Sequence, residues 1–145
     1  NMSRSVFSNI QGTNKRVETN GPNGRPNGYL VELDTEGRRT KSYLTVAYPG
    51  CFKGYHAHVV REANYVCIRG KVRVVLVTKQ GILKHVLETN DTLHIPINIP
   101  TGIQNEGEDE AWLINFPNPA YDPELKFEQV DLDTEREALD WVEKS

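Results

Sequence analysis

The sequence predicts an all-β barrel or sandwich that ends in one short helix. Short β-rich runs follow one another from about residue 28 to residue 116, and turn-forming pairs such as Arg69-Gly70 and Gln80-Gly81 separate them. Many short strands at this spacing are typical of β-sandwiches and barrels. A helix signal appears only near the C-terminus, so the helix is expected to cover the barrel or a second subunit.

Eight runs are rich in β-branched and aromatic residues, which favour strands. The predicted strands cover residues 29–33, 43–48, 54–60, 64–68, 71–78, 82–87, 92–95 and 111–116. Before them, Gly, Pro, Asn and Thr dominate residues 1–27, and such a composition favours turns and irregular backbone. The sequence therefore predicts an N-terminal arm over residues 1–27 and a β-barrel over residues 28–123.

A C-terminal extension over residues 124–145 carries the predicted helix, at residues 134–144. Thr134 and Glu137 have the spacing of a capping box, which satisfies free backbone N–H groups at the start of a helix. Ala138, Trp141 and Val142 recur at helical spacing and fall on one face. That apolar face is expected to be buried.

Composition gives no support for some classes of partner. The formal net charge of the 145 residues is −3, which gives no reason to expect binding to nucleic acid or to an anionic membrane. No apolar run approaches the roughly 20 residues of a membrane span. The N-terminal residues lack a secretory signal pattern, and the two cysteines, Cys51 and Cys67, do not form a disulfide framework. We therefore expect a cytoplasmic protein with reduced thiols.

Two histidines form the most informative local pattern. Gly50 is followed, after five residues, by His56-Ala57-His58. In a strand, residues i and i+2 point to the same face, so both imidazoles are expected to project together. If that face lines a barrel interior, the two rings share a concave and partly dry pocket. A neutral imidazole in such a place is suited to general base catalysis.

The spacing around these histidines resembles the first motif of the cupin superfamily, and a second motif can be traced from Asn90 to Asn105. Glu62 follows His58 after three residues, although it is one residue out of step with the end of the motif. In the second motif Asn105 matches the final Asn, and Thr101 replaces the usual His. The resemblance covers roughly residues 28–123 and implies a cupin or jelly-roll barrel.

Most cupins hold a divalent metal with two His, one Glu and a later His. Thr101 cannot replace an imidazole ligand in an ordinary site. We therefore predict no metal and no cofactor. A metal-dependent, dioxygenase-like cupin is the alternative, with His85, His94 or a distant carboxylate completing the site.

The segment from Lys53 to Val74 further resembles a metal-independent branch, the dTDP-sugar 3,4-ketoisomerases and 3,5-epimerases. The resemblance implies an isomerase or epimerase acting on a dTDP-linked 4-keto-6-deoxy sugar by proton transfer. If the residue roles of these enzymes apply at the matching positions, His56 or His58 is the base, Tyr43 assists the proton transfer, and Lys53 binds the nucleotide diphosphate. It also implies a homodimer.

Each further substrate-binding candidate, or its position, also has a structural interpretation or departs from the enzymes. Arg73 either grips phosphate at the pocket mouth or lies on a solvated strand face. Glu62 either orients an imidazole or belongs to a surface turn, and Tyr121 stacks on a nucleotide base or fills the core. Asn105 keeps its motif position, while Asn115 stands where the 3,5-epimerases use a Tyr. Because Thr101 and Asn115 depart from the enzymes, a non-catalytic sugar-binding cupin is another alternative.

Overall fold

The structure, a computed structural model, describes residues 16–145. The strands and the helix of this part of the chain are β1 Arg16–Asn20, β2 Pro26–Glu36, β3 Arg39–Ala47, β4 Phe52–His58, β5 Ala63–Arg69, β6 Val72–Thr78, β7 Gly81–Leu87, β8 Thr92–Ile95, β9 Thr101–Gln104, β10 Ala111–Asn115, β11 Gln129–Asp131 and α1 Glu135–Lys144. All eight predicted strands are present, with ends that differ by at most a few residues.

The strands form two antiparallel sheets. A six-stranded sheet has the order β1-β2-β3-β10-β5-β8, and a five-stranded sheet has the order β11-β4-β9-β6-β7. Strands that are distant in sequence are neighbours in space, such as β3 and β10. The predicted fold class, an all-β jelly-roll with a short C-terminal helix, is confirmed.

The main hydrophobic core lies between the sheets, because each sheet turns alternate side chains toward the other. On β6, Val72, Val74 and Leu76 belong to this core. The core cluster of the described residues is Ala47, Ala63, Cys67, Val72, Val74, Leu76, Leu87, Ile95, Ile103, Ala111 and Leu113.

The opposite face of β6 is covered by α1. Val75 and Val77 form a second cluster with Ala138 and Val142 of the helix, whose exposed fractions are 0% and 5%. Thr134 caps the helix: its Oγ1 accepts a hydrogen bond from the backbone N–H of Glu137 at 3.1 Å. Such a cap stabilises a helix by about 1 kcal/mol. The capping-box prediction thus located the helix to within one residue.

The structure describes only part of the predicted N-terminal arm. Its residues 1–15 lie outside the described residues. Its remainder contributes β1 and the start of β2, which pair antiparallel with Arg16 opposite Val31. Residues 16–20 and 26–27 are therefore part of the six-stranded sheet, and a turn connects them. Within residues 16–145 no helix is long and apolar enough to cross a bilayer.

Candidate functional site

A cavity of about 560 Å³ opens between the two sheets. Its polar wall contains all three catalytic candidates, His56, His58 and Tyr43, and two of the predicted substrate-binding residues, Lys53 and Tyr121. Apolar side chains of both sheets, such as Leu30 and Ile103, complete the lining. A concave and mostly apolar pocket with a few convergent polar groups is the usual form of a small-molecule site.

An irregular β4 brings Lys53, His56 and His58 to this one cavity. Regular alternation would place Lys53 and His56 on opposite faces, since they are three residues apart. The pairing of β4 with β9 shifts register between these two residues. Gly54 lies there with φ +137°, and a Cβ atom on it would approach the Thr101 carbonyl oxygen to 2.8 Å. Only glycine fits this backbone position without displacing β9.

His56 forms a hydrogen-bonded pair with a carboxylate that the sequence analysis did not single out. Its Nδ1 lies 2.7 Å from Oδ1 of Asp131, which is its partner across the β4–β11 pairing. Gln129 Nε2 donates to the same oxygen at 2.7 Å. Partial burial acts to raise the pKa of Asp131, but the hydrogen bonds from Gln129 and His56 outweigh it and leave this pKa below its usual value.

An ionised Asp131 fixes the tautomer of His56. Because the carboxylate only accepts, Nδ1 carries the hydrogen, and the other ring nitrogen, Nε2, is left as a proton acceptor. The side chains of His56 and Asp131 are 45% and 66% exposed, so the pair lies at the open side of the cavity. This is the arrangement of an oriented general base.

His58 has a different environment. Its side chain is only 20% exposed. Burial, followed by the positive charges of Arg61 and of protonated His56, lowers the pKa of His58 to about 3. The ring is therefore neutral at physiological pH. Its Nδ1 lies 3.3 Å from Nε of Arg61 and 3.4 Å from Oε2 of Glu128.

Lys53 places an ammonium group in the cavity wall. Its Nζ donates to the backbone oxygens of Val46 at 3.0 Å and Tyr29 at 3.3 Å. Burial lowers the pKa of Lys53 to about 8, although the charge of Glu18 acts in the opposite direction. Near neutral pH the lysine is mostly protonated, and two of its three hydrogens are used by the carbonyls.

Tyr43 is oriented by Asn115. The Asn115 amide Nδ2 donates to the Tyr43 hydroxyl oxygen at 2.7 Å, and its Oδ1 accepts from the Asn64 backbone N–H at 2.9 Å. The hydroxyl proton of Tyr43 is therefore available to another acceptor. Asn115 itself is buried and does not line the cavity. It orients Tyr43, whereas the sequence predicted a direct contact with the substrate.

Three other predicted substrate-binding residues also lie away from the cavity. Arg73 shares the outer face of β6 with Val75 and pairs with Glu106 at 3.0 Å. Glu62 pairs with His94 at 2.7 Å, and both side chains are about half exposed.

The third of these residues, Asn105, is 1% exposed. Its Nδ2 donates to the backbone oxygens of Ala47 and Asp109. It holds loops together, because a buried amide must satisfy its own hydrogen bonds. In this structure Arg73 and Glu62 form ion pairs outside the cavity, and Asn105 has a structural role.

Four residues around the histidines were missed as functional candidates. They are Arg61, Glu128, Gln129 and Asp131. Three of them lie about 70 residues after the His pair in a polar stretch with no motif. The sequence favours a surface turn at Arg61. In the structure Arg61 is 6% exposed, and its guanidinium lies 4.8 Å from the centre of the Tyr121 ring.

The residues of the cavity do not fit the metal site common in cupins. Within residues 16–145, no three His, Cys, Asp or Glu side chains cluster as metal ligands. Glu62, the expected third ligand, is paired with His94 outside the cavity. Thr101 offers a hydroxyl that donates to the Ile99 carbonyl at 3.0 Å.

Comparison with solved structures identifies the fold. The capsular polysaccharide assembling protein CapF of Staphylococcus aureus aligns with a TM-score of 0.67 and 18% identity over 83% of this chain. The sugar 3,4-ketoisomerase QdtA of Thermoanaerobacterium thermosaccharolyticum, solved with TDP, aligns with a TM-score of 0.58 and 17% identity over 73% of this chain and 74% of QdtA. This chain has the cupin fold, as its two motifs indicate.

One relative with a named role is similar in sequence. The probable low-salt glycan biosynthesis epimerase Agl13 of Haloferax volcanii is 26% identical over 136 residues, which cover 82% of this chain and 87% of Agl13. No family model matches the chain. The chain spans only 35% of the length of CapF.

Proposed function

We propose that this cupin is an isomerase or epimerase of a dTDP-linked 4-keto-6-deoxy sugar, with His56 as the base and no metal in the reaction. The observation that carries the proposal is the 2.7 Å contact between His56 and Asp131 beside a cavity of about 560 Å³. A His whose Nδ1 is bound to a carboxylate is oriented for proton transfer at Nε2.

The chemistry follows from the substrate. The keto group acidifies the C–H bond beside it, and His56 Nε2 takes that proton while the electron pair of the bond moves into an enolate. Asp131 stabilises the imidazolium that results. For an epimer, a solvent proton adds to the opposite face of the same carbon, and His56 gives up its proton to solvent. For an isomer, His56 returns its proton to the former carbonyl carbon, while the hydroxyl on the deprotonated carbon loses its proton to the former carbonyl oxygen and becomes the new carbonyl.

Two further cavity residues have roles in this scheme. Tyr43, whose hydroxyl oxygen already accepts from Asn115, can donate its proton to the developing enolate oxygen. Lys53 supplies positive charge for the diphosphate, since Nζ has one hydrogen beyond those donated to Tyr29 and Val46. An acidic protein needs such local cations to bind an anion.

The named relatives support the substrate class. Agl13 is described as a probable epimerase of glycan biosynthesis, and QdtA is described as a sugar 3,4-ketoisomerase in complex with TDP. Both descriptions concern reactions of sugars that proceed without breaking the carbon skeleton. A nucleotide-linked keto sugar is therefore the substrate that agrees best with the cavity, the position of the base and the named relatives.

Product analysis tests the proposal. A panel of dTDP-4-keto-6-deoxyhexoses is incubated with chelator-treated protein, and the sugars are identified by NMR. We expect a new isomer or epimer with the wild-type protein and none above background with His56→Asn. His94→Asn is the matched control, because His94 has a carboxylate partner at the same 2.7 Å distance but does not line the cavity. Absence of any product across the panel would contradict the proposal.

A further inference from the structure

The contact between Arg61 and His58 determines where the second cavity imidazole carries its hydrogen. We propose that Arg61 is a positioning residue: its Nε donates to Nδ1 of His58, so the imidazole hydrogen stays on Nε2, where it is a donor for an oxygen of the ligand in the cavity. The position of this hydrogen stands apart from the proposed function. Only the identity of the acceptor, an oxygen of the keto sugar, rests on it.

The hydrogen bond itself is the first reason. A guanidinium keeps all of its hydrogens at any ordinary pH, so arginine donates and never accepts. Nε of Arg61 lies 3.3 Å from Nδ1 of His58 with hydrogen-bond geometry. Nδ1 must therefore accept with its lone pair. A hydrogen on Nδ1, in the neutral ring or in the imidazolium, would point at the Nε hydrogen of Arg61.

Glu128 is the competing partner of both groups. Its Oε2 lies 3.4 Å from Nδ1 of His58, and its Oε1 lies 3.1 Å from Nε of Arg61. Neither contact has hydrogen-bond geometry, and Oε2 has no hydrogen-bond partner among the described residues. Glu128 is 5% exposed and acts through its charge, which balances the buried guanidinium beside His58.

The fold fixes both partners of this hydrogen bond. The buried side chain of Arg61 also donates from Nη2 to Oε1 of Gln129 at 3.2 Å, and its guanidinium lies over the ring of Tyr121. The backbone of His58 pairs with Gln129 on β11, and its carbonyl accepts from the N–H of Asn98 at 2.8 Å. The alignment of Nε with Nδ1 is therefore present before any ligand binds.

The two cavity histidines consequently have opposite roles. At His56, Nδ1 carries the hydrogen and Nε2 accepts, whereas at His58, Nδ1 accepts from Arg61 and Nε2 donates. Burial, followed by the charge of Arg61, lowers the pKa of His58 to about 3, so the ring keeps a single hydrogen over the physiological range. Nε2 has no hydrogen-bond partner in the described part of the chain. Such a donor polarises a carbonyl oxygen while His56 removes the neighbouring proton.

Long-range ¹H–¹⁵N correlation of the imidazole rings, recorded on the ligand-free protein at pH 7.5, measures the position of the hydrogen directly. His58 is assigned by the signals that disappear in His58→Asn. We expect a pyridine-type Nδ1 and a pyrrole-type Nε2 in the wild-type protein. Arg61→Met removes the donor and leaves the Glu128 carboxylate beside Nδ1, so Nδ1 is expected to gain a hydrogen.

Two results would overturn the positioning role: a hydrogen on Nδ1 of His58 in the wild-type protein, or a Nδ1 that remains pyridine-type in folded Arg61→Met. Arg69→Met is the matched control and leaves the His58 pattern unchanged. Arg69 also lies over an aromatic ring, that of Trp112 at 5.3 Å, but it does not line the cavity. If Arg61→Met does not fold, the wild-type spectrum alone decides.

The acceptor is tested separately with His56→Asn, in which a dTDP-4-keto-6-deoxyhexose is expected to bind without being converted. We expect the Nε2 resonance of His58 to shift when the sugar binds, while Nδ1 stays pyridine-type. Binding, measured by calorimetry, that leaves this resonance unchanged would overturn the donor role. A sugar that does not bind would reject the keto sugar as the acceptor, and with it the proposed function, while the measured position of the hydrogen would stand.

Discussion

Thr101 on β9 lies directly opposite His56 on β4, as its partner in the antiparallel pairing. The position that holds an imidazole in most second cupin motifs is therefore adjacent to the His pair, but here it holds a hydroxyl that donates to a backbone carbonyl. One substitution separates this site from three neighbouring imidazoles, which is the number of histidines that a tight site for a divalent transition metal commonly uses.

Thr101→His is therefore expected to create affinity for Zn²⁺ or Ni²⁺ that the wild-type protein lacks. The added imidazole joins His56 and His58, and three imidazoles bind these ions far more tightly than two. Metal content after dialysis, measured by elemental analysis, checks this, with Thr101→Ala as the matched control. Equal metal content in wild type and Thr101→His would show that the rings do not converge.

Asp131→Asn is expected to lower kcat by about 100-fold while leaving the fold intact. The amide keeps the size of the carboxylate but cannot stabilise the imidazolium of His56 by charge. Steady-state kinetics with the active sugar checks this. Glu62→Gln alters the equivalent pair outside the cavity and is expected to retain wild-type kcat, whereas equal losses in the two variants would remove Asp131 from the mechanism.

Acid is expected to destabilise the protein through His58. The folded-state pKa is about 3 and the unfolded value is 6.5, so between these values the unfolded chain binds a proton that the folded chain does not. Stability therefore falls as pH decreases below 6.5, by at most about 1.4 kcal/mol per pH unit from this group. Urea unfolding at several pH values should show a shallower dependence for His58→Gln than for wild type. A slope unchanged by this variant would show that the folded ring does take up the proton.

Affinity for dTDP is expected to depend on the charge of Lys53. The pKa of about 8 means that the ammonium loses its proton as pH rises from 7 to 9, and with it the attraction for phosphate. Calorimetric titration of wild type should show weaker binding at pH 9 than at pH 7. Lys53→Met should bind at least about tenfold more weakly at pH 7 and lose the pH dependence. Lys71→Met, at an exposed position, should behave as wild type.

The strand pattern between residues 28 and 116 predicted most of the fold, because alternating β-rich runs and turn pairs are local signals. The missed strands have weak signals: β1 lies among Gly, Pro and Asn, and β11 contains a single apolar residue, Val130. β9 is short and contains Gly102, whose space is filled by the Phe52 ring. Such strands form because tertiary pairing compensates for their low propensity.

The site was predicted in part for a similar reason. His56 and His58 are two residues apart, so strand geometry alone predicts that they act together. Their partners Glu128 and Asp131 approach only because β11 pairs with the edge of β4, a contact between residues about 70 positions apart. Glu62 was placed by motif position and Arg73 by strand geometry, and neither signal carries information on the ion pairs that each forms elsewhere.

Solvent isotope exchange tests the central claim most directly, because it reports removal of a carbon-bound proton even where no net product accumulates. Chelator-treated protein is mixed in D₂O with a dTDP-4-keto-6-deoxyhexose, and deuterium beside the keto carbon is followed by NMR. We expect incorporation with wild type and His94→Asn, and only the protein-free rate with His56→Asn. Incorporation that is unaffected by His56→Asn, or that never exceeds the protein-free rate with any sugar of the panel, would contradict the assignment of His56 as the base.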